Sequence, residues 1–119
     1  MIASVLVAAI GALHVYILVL EMFRWEAPRT RAVFGTSAEF ARASKVMAGN
    51  QGLYNGFLAA GLFWALTKGV AGAGFALAVF FLGCVLVAGL YGAATASRRI
   101  LFVQAVPAAL GLLAVGFGV

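Results

Sequence analysis

The sequence predicts an all-α membrane protein: a four-transmembrane-helix antiparallel bundle with both termini outside and a long cytoplasmic connection between helices 1 and 2. Three observations predict it. Of the 119 residues, 66% are hydrophobic and only 9% are charged, whereas a soluble domain carries about 25% charged residues. Four stretches, 2–23, 46–67, 70–97 and 100–119, are free or nearly free of Lys, Arg, Asp and Glu. Seven of the eight Lys and Arg residues fall in just two of the connections between those stretches.

The first stretch, Ile2 to Phe23, is interrupted only by Glu21. At ~1.5 Å per residue it covers a hydrocarbon core of ~30 Å, and in lipid a single segment satisfies its backbone only as a helix. No Lys or Arg precedes Arg24, so it lacks the basic start of a cleaved signal and reads as a retained span. The connection that follows holds Arg24, Arg29, Arg31, Arg42 and Lys45. Within it Pro28 is suited to open a short helix and Gly35 to end it. Thr36 with Glu39 has capping-box spacing, which predicts a helix running on into the second span. Trp25, Phe34 and Trp64 suit the membrane interface.

The third and fourth stretches follow after connections too short for anything but antiparallel neighbours. Arg98 and Arg99 lie between them, and Lys68 alone lies on the opposite side. The positive-inside rule therefore places the basic connections in the cytoplasm and both termini outside. A net charge of +5 in this setting means contact with anionic headgroups, so no nucleic-acid partner is expected. Arg24, Arg29, Arg31, Arg42, Lys45, Arg98 and Arg99 are the candidate lipid-headgroup or anion contacts. No internal repeat is visible, and the chain reads as one domain. Gly52 with Gly56, and Ala88 with Gly92, are small-xxx-small pairs that let helices approach closely.

Polar residues inside the spans carry the functional argument. His14 and Glu21 are seven apart, two turns of helix, and so share a face. An acidic residue at mid-span costs roughly 2.5–3.5 kcal/mol, less near the end, so that face should meet polar partners. The second span offers Asn50, Gln51, Tyr54 and Asn55, in two pairs four apart. Counted inward from the cytoplasmic ends, Asn50 falls level with Glu21 and Asn55 level with His14. Tyr91 and Gln104 add to the same half. These eight residues are the candidate ligand-binding set for a small solute or ion. A plainer alternative pairs Glu21 with Arg24, three residues on.

Other chemistries lack their residues. There is no CxxC, HExxH, phosphate-binding glycine loop or Ser–His–acid set, and "GAG" at Gly72–Gly74 belongs to helix packing. A lone histidine is a poor metal ligand set, no metal is expected, and no cofactor is indicated. Cys84, the single cysteine, reads as a packing residue.

"HVYILVLEMFRWEAPRTRAVFG" together with "NQGLYNGFLAAGL" closely resembles the domain of unknown function 1304 family of small bacterial integral membrane proteins. The resemblance spans essentially the whole chain and implies a four-helix protein of the bacterial inner membrane. It brings no activity. A looser similarity is to the membrane-associated proteins of eicosanoid and glutathione metabolism, four-helix trimers that bind glutathione between subunits. Arg42, Lys45 and Asn50 echo their second-helix motif, although the asparagine is displaced by one residue and Leu53 stands where that motif has a glutamate. Tyr91 and Arg98 echo the tyrosine and arginine of later helices. That similarity implies a glutathione-dependent membrane enzyme as one alternative. A non-catalytic structural or assembly protein is the other. The first expectation remains a small solute or ion bound or transported at the polar cluster. One four-helix unit leaves little room for alternating access, so a homo-oligomer in the lipid bilayer is expected.

Overall fold

A computed structural model describes residues 1–119, which form helices and no strand. Helix α1 spans Ile2–Phe23, α2 Pro28–Phe34, α3 Ala38–Lys68, α4 Phe75–Thr95 and α5 Val106–Phe117. Three helical stretches, 2–23, 38–73 and 75–95, are long and apolar enough to cross a membrane, and the fourth apolar stretch, Leu101–Phe117, is shorter.

Helix α2 begins at Pro28, whose missing N–H costs nothing in a first turn. It ends at Gly35, where φ is 68° and the backbone N–H returns to the Arg31 carbonyl. That left-handed conformation favours glycine. The start of α3 departs from expectation by one residue. Ser37, not Thr36, caps it: the Phe40 N–H donates to Ser37 Oγ at 3.1 Å. Thr36 Oγ1 is buried without a hydrogen-bond partner.

The helix of the third apolar stretch, α4, starts at Phe75 rather than Val70, because a π-type turn over Gly69–Ala73 intervenes. The reversal needs its glycines. Gly69 has φ 82°, Gly72 leaves the helical region, and Gly74 donates to the Gly69 carbonyl at 2.9 Å. A Cβ on Gly74 would run into the Ala65 carbonyl. The "GAG" segment thus forms the end of the turn, beyond the helix packing expected of it. A second π-type turn, Leu101–Ala105, precedes α5. Pro107 lies in the first turn of α5, and a wider turn before it relieves the bonding that a proline cannot make.

The chain divides into two compact units, residues 1–12 with 58–119, and residues 13–57. In the first, Val7, Leu62, Leu82 and Val85 are fully buried, packed with Ile10, Ala65, Ala78, Ala108 and Val115. Small residues set the spacing. A Cβ on Gly89 would stand 2.7 Å from the Ala105 nitrogen, and one on Gly92 would stand 3.1 Å from Ile100. Gly89, one residue beyond the expected Ala88, is where α4 makes its closest approach; Ala88 is exposed. Within this unit the Met1 ammonium donates to the Val119 carbonyl at 2.8 Å.

The second unit holds the C-terminal half of α1, all of α2 and the N-terminal half of α3. Its buried residues are His14, Thr30, Ala41, Ala48 and Gly52. Between α1 and α2 the Trp25 ring packs on Phe34 with centroids 4.9 Å apart. The indole N–H donates to Ser44 Oγ at 3.1 Å, and Ser44 donates in turn to the Phe40 carbonyl at 2.6 Å.

Candidate functional site: the Glu21–Asn55 pair

In the second unit, Gly52 and Gly56 lie on the face of α3 that meets α1. A Cβ at Gly52 would come 2.6 Å from Met22 Cγ and 3.0 Å from Glu21 Cβ, and one at Gly56 would come 2.6 Å from Leu18 Cδ1. Two backbones this close leave room for a short side chain to bridge them. Asn55, one residue before Gly56, does so: its Nδ2 donates to Glu21 Oε1 at 2.7 Å. The same amide lies 3.2 Å from the Gln51 carbonyl. Both Glu21 and Asn55 are half-buried.

The contact sets a register different from the one expected. Asn55, not Asn50, is level with Glu21. The reason lies at the end of α1. Lys45 reaches Glu26, beyond α1, with Nζ 3.5 Å from Oε2. Lys45, although within α3, thus lies opposite the connection rather than the end of α1, and counting depth from it sets α3 about a turn out of place. His14 is buried, two turns along α1 from Glu21, or about 10 Å at ~1.5 Å per residue. Arg24 is not the partner of Glu21, whose hydrogen bond comes from Asn55.

Of the eight candidate ligand residues, the structure thus joins two. Asn50, Gln51 and Tyr54 stand exposed on α3, the Tyr54 ring meeting Phe57 edge-on at 5.9 Å. Tyr91 and Gln104 belong to the other unit. Tyr91 is exposed on α4, and Gln104 is half-buried with its Cβ beside Gly89. No three His, Cys, Asp or Glu side chains gather anywhere in the chain.

Arg24, Arg29, Arg42 and Lys45 are exposed, as are Arg98 and Arg99 in the other unit. Arg31 is half-buried and its Nε donates to the Glu26 carbonyl at 3.2 Å. Sequence reasoning missed Glu26, which holds both Lys45 and Arg31. Lys45 lies 19 residues away, so only opposite charge signalled that pair, and the Arg31 contact, made to the Glu26 backbone carbonyl, had no side-chain signal at all.

The Glu21–Asn55 pair is chemically simple. An ionised carboxylate offers about four acceptor sites and the Asn carbonyl oxygen two more, while one amide N–H fills only one of them. What remains is an acceptor-rich spot, half-buried between two apolar helices. It suits a cation or a hydrogen-bond donor and repels an anion.

Comparison with known proteins adds a family. A family model described as "Protein of unknown function (DUF1304)" matches residues 5–116. No curated protein and no solved structure matches the chain.

Proposed function

The chain belongs to that family, whose description carries no activity, and we propose from the site itself that it is an inner-membrane protein binding a small cationic or amine-bearing solute at Glu21 and Asn55. The observation that carries this is the placement of a carboxylate, bonded to one amide, between helices otherwise built for lipid. Such a group is costly in a span and is placed where it has a task.

Four crossings with both termini outside and the Glu21 end cytoplasmic complete the proposal. Support comes from the contact of Met1 with Val119, since an even number of crossings returns the chain to its starting side. The basic bias of the sequence supports the orientation. Helix Leu101–Phe117 is 17 residues by its bounds, about 25 Å at ~1.5 Å per residue, and a thinned bilayer or flanking residues make up the difference. A homo-oligomer fits the small share of each long helix buried by the chain itself, at most 28% of its most apolar window.

A second reading rests on the same bond. A direct 2.7 Å hydrogen bond between two spans also clamps helices, and such bonds in membranes are worth about 0.6–2 kcal/mol. Native mass spectrometry of the full chain from mild detergent separates the two. The proposal expects wild-type protein to carry a small molecule that Glu21→Gln loses while keeping the same assembly. Protein that holds lipid alone, or a Glu21→Gln variant with unchanged cargo, supports the clamp instead.

A further inference from the structure

Where α1 ends, the second unit forms an open cleft of about 350 Å³ lined by Met22, Phe23, Arg24, Trp25, Glu26 and Lys45, together with Ala27. That volume is at the lower limit of the ~300–1,000 Å³ typical of ligand sites. Its lining divides by chemistry. Met22 and Phe23 are apolar and continue the face of α1, with Phe23 71% exposed. Arg24 and Lys45 bring two positive charges and Glu26 one negative, leaving a net +1.

The polar wall is fixed in place. The Trp25 indole is bonded to Ser44 and packs at a tilt against Phe34, and Lys45 is drawn to the cleft by Glu26 at 3.5 Å. Arg24 is exposed and in no ion pair. Its planar fork is therefore available to two oxygens at once, the geometry that phosphate offers. Val46 and Met47, the residues after Lys45, are 87% and 74% exposed, so apolar surface flanks the charged wall on α3 as well as on α1.

We propose that this cleft is a phospholipid site: Arg24 and Lys45 hold the headgroup phosphate, and the acyl chains run along Phe23 and Met22. The charge balance matches the single negative charge of a phosphodiester. The apolar walls match chains rather than water, and an indole edge beside the phosphate is the usual place for tryptophan at a membrane interface. The site is independent of the Glu21–Asn55 pair and stands or falls separately.

The test titrates dioleoylphosphatidylglycerol into the delipidated full chain in detergent and follows retained lipid by native mass spectrometry. Arg24→Gln removes the unpaired cation without opening the Lys45–Glu26 pair. Its retention constant should fall about tenfold, the weight of one charge-assisted hydrogen-bonded contact. Arg98→Gln makes the same change in charge at a residue that does not line the cleft and should stay within about twofold. Equal losses in the two variants, or none in either, would overturn the site in favour of diffuse attraction. So would inorganic phosphate that displaces the lipid at comparable concentration, since it has no chains. A matching circular-dichroism spectrum and elution volume for each variant confirm that retention, and not folding, has changed.

Discussion

Glu21 and Asn55 illustrate how a single pair acquires its position. The amide reaches the carboxylate because glycine stands at 52, where a Cβ would crowd Met22, Glu21 and the Leu18 carbonyl, and at 56, where one would press on the end of the Leu18 side chain. Asn55→Ala should therefore lower stability in detergent by about 0.6–2 kcal/mol, seen as a lower midpoint of unfolding. Gly52→Ala should cost about 1–3 kcal/mol through overpacking against Met22 and Glu21. Gly83 provides the comparison, because a Cβ there meets nothing within 4 Å. Gly83→Ala should be neutral or should stabilise by up to about 1 kcal/mol, the ordinary gain of alanine over glycine within a helix. If both glycine variants behave alike, the close approach of α1 and α3 is wrong.

At the scale of elements, the sequence made the bounds of α1 and α2 legible and hid the slide of one helix past another. Charge-free length marks α1, and Pro28 and Gly35 are sharp local signals for α2. The register of α3 is not local. It depends on where small residues seat two backbones, and apolar stripes permit several such seats. The cap of α3 shows a finer ambiguity: Thr36 and Ser37 are adjacent, and the box spacing to Glu39 favoured the wrong one. Ser37→Ala should cost about 1 kcal/mol, as loss of an N-cap does. Thr36→Val should be neutral or stabilising, since the hydroxyl it removes has no hydrogen bond. Chemical unfolding of both variants checks the assignment. The two π-type turns were also invisible, because they depend on how Gly69–Gly74 and Pro107 resolve bonding that a regular helix would break.

For the whole molecule, exposed apolar surface is the governing fact. Val46, Phe80, Val87, Phe102 and Phe117 are all more than 60% exposed, far more than a water-soluble monomer tolerates in contiguous patches. On the proposed reading, lipid or further copies of the chain cover them. Four crossings make a sharp prediction for cysteines placed singly in a Cys84→Ser background. In intact cells Ala32→Cys and Ser97→Cys should be shielded from a membrane-impermeant maleimide, and Phe117→Cys should react. Labelling of Ser97→Cys and Phe117→Cys from the same side would remove the fourth crossing. The candidate polar set was only partly legible at this scale. Residue type put Glu21 and Asn55 in one polar set, but the expected register set Asn55 beside His14, and period alone could not tell which amides turn inward.

The measurement that bears most directly on the solute site is the thermal unfolding midpoint of wild type and Glu21→Gln, recorded side by side with increasing methylammonium against equal sodium chloride. A ligand that binds only the folded state raises its stability by RT ln(1 + [L]/Kd). A site at Glu21 and Asn55 predicts a concentration-dependent rise in wild type that vanishes in Glu21→Gln. The same response in both proteins, or a lower midpoint in Glu21→Gln with no methylammonium response in either, would contradict a cation site and leave Glu21 as a bond between helices.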